Sequence, residues 1–216
     1  MGTRIQNLAN NFTTAGIVKA AAINDASVSG ITSIPAGLGG ALTLLSTQTA
    51  SASASIEFTS GIDSTYDSYV FKFINIHPQT DRDEFQFNLS TDGGSNYNVV
   101  KTTTFFYAFH AEDDSFTTLT YASGNDLAQS SSDQLIGHNI DNDNDSNLSG
   151  NLTLFNPSST TYVKHFIGVS NYMYDANTSN PYIAGYGNTT SAVNAIRFQF
   201  ASGNIDDGII KMYGVS

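Results

Sequence analysis

The chain has 216 residues, a formal charge of −11, no cysteine and no tryptophan. Without clustered Lys and Arg to replace counterions on phosphates, nucleic-acid binding is excluded. Disulfides and thiolate metal sites fall with the absence of cysteine, and no run approaches the eighteen apolar residues that a membrane helix needs.

The first fifty residues differ from the rest. They hold one aromatic residue, Phe12, and the charges of Arg4, Lys19 and Asp25, so this stretch sits near +1 while the remainder carries about −12. Met1–Gln6 shows no apolar leader pattern, so no signal peptide is expected. Aliphatic side chains recur sparsely at Ile5, Leu8, Ile17, Val18 and Ile23, too few for a core of their own. A short helix over 17–24 and an extended arm both suit this composition. Either form needs a partner surface, and Ile5, Leu8, Phe12, Ile17 and Ile23 are the candidate docking residues. Pro35, Gly37, Gly39 and Gly40 then read as a joint. The expected division is an arm and joint over 1–40 and a body over 41–216.

The body is written in the grammar of strands. Glu84-Phe85-Gln86-Phe87-Asn88-Leu89-Ser90 alternates polar and apolar without a fault and runs into a turn at Asp92-Gly93-Gly94. Strands are expected near 41–47, 53–59, 68–75, 83–90, 97–107, 134–139, 150–156, 162–170, 182–186, 194–201 and 208–214. A long surface loop is expected over 108–133. Short strands at this spacing predict an all-β protein: an antiparallel β-sandwich of jelly-roll type with an extended N-terminal arm. The 14 Phe and 11 Tyr would supply its core.

Chemistry-bearing clusters are sparse. Asp141, Asp143 and Asp145 set hard oxygen donors at alternate positions, the ligand type calcium takes. Ser146 stands where the calcium-loop pattern needs glycine and Leu152 where it needs glutamate, so an unoccupied solvated loop is the expectation. The four histidines show no zinc-helix spacing, and neither a nucleophile elbow nor a phosphate loop appears. No cofactor and no enzymatic activity are expected. Tyr107, Tyr172 and Tyr174 are the candidates for a sugar-stacking patch, against the plainer reading that strand aromatics fill a core.

A likeness rests on Ser60-Gly61-Ile62-Asp63-Ser64-Thr65-Tyr66-Asp67, Asn75-Ile76-His77-Pro78, Ser90-Thr91-Asp92-Gly93-Gly94-Ser95-Asn96-Tyr97, Asn156-Pro157-Ser158-Ser159-Thr160-Thr161-Tyr162 and Gly208-Ile209-Ile210-Lys211-Met212-Tyr213-Gly214. These stretches, with Asn7-Leu8-Ala9-Asn10-Asn11-Phe12, resemble a group of marine bacteriophage virion proteins described as tail-fibre-like or structural. The resemblance implies a non-enzymatic virion component, on tail fibre, appendage or capsid surface. Its arm would dock to other virion proteins, its subunits would form a homotrimer, and its body would be displayed. A carbohydrate-binding module for host-surface glycans is the alternative, and a glycan hydrolase ranks third for want of an identifiable acid and base.

Overall fold

The structure is a computed structural model that describes residues 42–216, within the compact unit Ala41–Ser216. The expected docking residues Ile5, Leu8, Phe12, Ile17 and Ile23 lie outside the described residues. Strands follow in chain order as β1 (Thr43–Ser53), β2 (Ile56–Phe58), β3 (Ser68–Pro78), β4 (Asp83–Ser90), β5 (Lys101–Ala111) and β6 (Thr117–Tyr121). The second half supplies β7 (Gln134–Ile140), β8 (Leu148–Phe155), β9 (Lys164–Met173), β10 (Asn177–Gly187), β11 (Ala195–Phe200) and β12 (Ile205–Val215). Among the described residues there is no helix.

The strands form two antiparallel sheets. The larger runs β1-β12-β3-β8-β9-β10-β5-β6 and the smaller β2-β11-β4-β7. The pairing is nested: β1 pairs with β12, β2 with β11, β3 with β8 and β4 with β7. Two hairpin-like excursions fall outside this nest. β5 and β6 come between β4 and β7, β9 and β10 between β8 and β11, and together they carry the larger sheet well past β8.

Alternation accounts for the core. Phe85, Phe87 and Leu89 of β4, Phe71 and Phe73 of β3, and Phe198 of β11 are all buried between the sheets. Phe198 is the hub, with ring centroids of Phe71, Phe73 and Phe85 at 5.4, 5.2 and 6.1 Å. Burying each such ring is worth roughly 1.5–3 kcal/mol, which lets a cysteine-free body rely on packing.

Each expected strand falls on an observed one, with one omission. The loop expected over 108–133 contains the end of β5 and all of β6. β6 escaped notice because it is an edge strand whose Leu119 and Tyr121 point outward, 73% and 54% exposed, while its inward positions are Thr118 and Thr120. Its apolar phase is thus the reverse of a core strand's. The turn at Asp92 holds as read. Asp92 accepts from the Asn96 backbone and side-chain N–H groups at 2.9 and 2.8 Å, contacts that hold its carboxyl down at about 2. Gly93 and Gly94 take positive φ there.

Candidate aromatic cleft

The larger sheet has twice as many strands as the smaller one, so the smaller sheet spans only part of its inner face. β7, at the edge of the smaller sheet, packs over β9 and β10, and beyond it β5 and β6 continue without a covering strand among the described residues. A cleft of about 490 Å3 opens at this step. Register fixes its floor. Tyr172 of β9 stands opposite Ser179 of β10, Ser179 opposite Phe109 of β5, and Phe109 opposite Thr118 of β6, giving one row across four strands. A second row runs from Pro181 through Tyr107 to Thr120.

The walls come from one strand and two connections. His138 and Asn139 belong to β7, Phe116 precedes β6, and Tyr174 follows β9. Phe109 packs edge-on against Phe116 at 5.9 Å and tilts against Tyr174 at 6.2 Å, so aromatic faces bound the space on two sides. Arg82 braces Tyr174 from outside, its guanidinium 5.1 Å from the ring centroid while it grips Asp175 with two bonds of 2.8 and 3.0 Å.

The polar groups are few and fixed. Asn139 Nδ2 donates to His138 Nε2 at 3.1 Å, which leaves the neutral ring with its proton on Nδ1, facing the Tyr172 hydroxyl at 3.4 Å. Burial holds His138 below its ordinary titration range, so the ring is neutral at pH 7. Burial likewise pushes the Tyr172 phenol up to about 12. Ser179 Oγ is buried, lines the cleft and makes no hydrogen bond of good geometry among the described residues. No lining side chain carries a formal charge at neutral pH. The surface offered is therefore aromatic faces interspersed with hydroxyl, amide and imidazole groups.

Sequence reasoning nominated Tyr107, Tyr172 and Tyr174, and the fold brings all three to this cleft. Their roles differ. Tyr107 and Tyr174 are half-buried, whereas Tyr172 is only 3% exposed and belongs to the floor and the core. Phe116, Thr118, Thr120, His138, Asn139 and Ser179 were missed. The Thr-x-Thr of β6 was the one local signal for them, and the cross-strand register that aligns it is not written in any window of sequence.

Asp141, Asp143 and Asp145 do not converge. Asp141 is buried, with Oδ2 accepting the Asp175 backbone N–H, and Asp143 and Asp145 are exposed. Among the described residues no group of three His, Asp or Glu side chains is placed to hold a metal. His110 meets Asp114 at 3.1 Å on an exposed turn.

Fold and cleft together define a β-sandwich with an uncharged aromatic groove on the overhang of its larger sheet. Compared with known proteins, the chain matches no family model, no curated protein and no solved structure.

Proposed function

We propose that the protein is a non-enzymatic component of a phage virion that displays its sandwich outward and recognises a neutral host-surface glycan in the cleft between β6 and β7. The observation that carries the recognition reading is the pair of cross-strand rows, Tyr172-Ser179-Phe109-Thr118 and Pro181-Tyr107-Thr120, open on one side and walled by Phe116 and Tyr174. Sugar rings present apolar C–H faces and equatorial hydroxyls, which suit aromatic faces set beside hydroxyl and amide groups. A chain of net charge −11 with no cation among the groove's lining side chains disfavours sialylated or uronic glycans.

The virion assignment rests on the sequence resemblance, and the nested pairing supports it. β1·β12, β2·β11, β3·β8 and β4·β7 follow the order of a jelly roll, an architecture that viral capsid and lectin domains use. On that reading β5–β6 and β9–β10 are insertions that build the groove on a structural frame. Docking through residues 1–40 and assembly as a homotrimer belong to the same proposal.

The test is a glycan array probed with the full-length protein and with Phe116→Ala. Binding confined to neutral glycans and weakened by the substitution supports the reading. Absence of binding, or binding that Phe116→Ala leaves intact, removes the cleft from it.

A further inference from the structure

Two lysines are completely buried, and their surroundings differ. Lys164 directs Nζ only at main-chain carbonyls, those of Tyr162 at 2.6 Å and Thr189 at 3.3 Å. Lys101, the first residue of β5, directs Nζ at the side-chain amide of Asn88, 2.5 Å from Oδ1, and at the Val99 carbonyl at 2.8 Å. Asn88 is itself 1% exposed. Along β4 it falls out of phase with Phe85, Phe87 and Leu89, so it points away from the core and is covered there by the segment before β7.

That segment holds the amide in one orientation. Asn88 Nδ2 donates to Asp133 Oδ1 at 2.5 Å and to the Ser131 carbonyl at 3.0 Å, so both of its hydrogens are engaged. Oδ1 accepts from the Leu89 backbone N–H at 2.9 Å as well as from Lys101. Asp133 is fixed in turn by Gln199 at 2.8 Å and Arg197 at 3.4 Å on Oδ2. Amine, amide and carboxylate thus meet in one buried cluster, with no carboxylate oxygen within ion-pair range of Nζ among the described residues.

We propose that Lys101 and Asn88 join in an intramolecular isopeptide bond, from Nζ to Cγ, with Asp133 as proton carrier. Cγ lies one carbonyl bond, about 1.2 Å, from Oδ1 and therefore within about 3.7 Å of Nζ, close to a near-attack separation. The neutral amine adds to Cγ, and the negative charge that builds on Oδ1 meets the Leu89 N–H already aimed at it. One proton passes from the attacking nitrogen to Nδ2, with the Asp133 carboxylate bonded to Nδ2 as carrier. The Cγ–Nδ2 bond breaks and ammonia leaves. Starting from the ammonium form, the products are a secondary amide and one ammonium ion, so atoms and charge balance without an oxidant or a co-reactant. Burial supports the first step, since it brings the Lys101 amine down to about 8 and leaves roughly a tenth of it neutral at pH 7. It also favours the product, because an unpaired buried ammonium is exchanged for an uncharged amide.

The bond would tie the smaller sheet to the larger one, β4 to β5, in a chain that has no cysteine for the purpose. It is independent of the glycan reading.

Mass spectrometry of the denatured full-length protein after trypsin is the test. The expected product is one peptide spanning residues 83–164 that carries an internal loop from residue 88 to residue 101, lighter than its sequence by one ammonia, about 17 Da, and uncut after Lys101. Lys164, also without exposed surface but with no side-chain amide partner among the described residues, is cut normally. Lys101→Arg and Asn88→Ala restore the full mass, and Asp133→Ala slows or abolishes the loss. A wild-type chain cleaved after Lys101 with peptides of full mass overturns the proposal, and needs no variant to fold. An ammonia loss that fragmentation places elsewhere overturns it too, as does a gain of about 1 Da from hydrolysis of Asn88 to Asp.

Discussion

Arg82 holds Asp175 with both carboxylate oxygens, at 2.8 and 3.0 Å, and in doing so lays its guanidinium on the outer face of Tyr174. A contact between the β3–β4 connection and the β9–β10 turn thereby fixes one wall of the cleft. Both side chains of the ion pair are about half exposed, at 49% and 51%, so water and salt screen it. Arg82→Ala is expected to leave the thermal midpoint almost unmoved yet weaken glycan binding by roughly two- to fivefold, because Tyr174 loses its brace. Parallel calorimetry of unfolding and binding reads both. A large fall in midpoint with unchanged affinity would assign Arg82 to the fold instead.

Phe116 and Tyr172 separate recognition from packing. Phe116 is 56% exposed, and Phe116→Ala is expected to cost roughly two- to tenfold in affinity with little loss of stability. Tyr172 is 3% exposed, so Tyr172→Ala should cost about 3–5 kcal/mol of stability before any effect on ligand is read. Tyr172→Phe keeps the ring and removes the hydroxyl that faces His138. Denaturant unfolding beside glycan titration distinguishes these outcomes.

The contrast between those two residues also marks what was legible in the sequence. Alternation such as Phe85, Phe87, Leu89 reports local geometry, because side chains two apart share a face whatever the rest of the chain does. It placed the strands of both sheets apart from β6. It did not reveal which sheet is wider, and the cleft exists only because β5 and β6 overhang β7. Tyr172 looked like a candidate platform on composition, but its depth depends on how far β7 reaches over β9. The Lys101, Asn88 and Asp133 cluster was hidden for the same reason, since three unremarkable residues become neighbours only after the sheets close.

His138 gives a pH dependence whose sign can be worked out. Its folded-state pKa lies below the ordinary 6.5 because burial disfavours the imidazolium, with Glu84 opposing weakly. Between the folded value and 6.5 the unfolded chain binds more protons, so stability is full above about pH 6.5 and falls as pH drops through that window. Protonation would also end the acceptor role of Nε2 toward Asn139 and put a charge in the cleft. Thermal midpoints and neutral-glycan affinity are both expected to decline from pH 7 to pH 5, and His138→Gln should flatten both curves. Parallel curves for wild type and variant would show that His138 does not titrate in this range.

Asp141 yields the last prediction, which joins stability to the calcium question. Its Oδ2 accepts the Asp175 backbone N–H while Oδ1 is buried without a partner among the described residues, and burial lifts its pKa above the usual 3.8, with the Asp175 and Asp81 carboxylates acting in the same direction. A raised carboxyl favours the protonated fold, so the associated stability is present at low pH and is lost as pH rises from about 3.8 through the folded-state value. At neutral pH the ion is a burden, and Asp141→Asn, which keeps one carbonyl acceptor without the charge, should raise the thermal midpoint. That advantage should shrink as pH falls and vanish below the unfolded pKa. Calcium would reverse the expectation if it bound here, since an ion held only by the native state raises the midpoint by mass action. Asp143 offers little to such an ion: its carbonyl already accepts from the Ser146 N–H at 2.8 Å and lies 3.1 Å from His77 Nε2, and its carboxylate is exposed. Unfolding scans in chelator and in millimolar calcium are therefore expected to coincide for the wild type, with Asp141→Asn above both at pH 7. A calcium-dependent rise that Asp141→Asn or Asp143→Ala abolishes would establish a metal site in this loop.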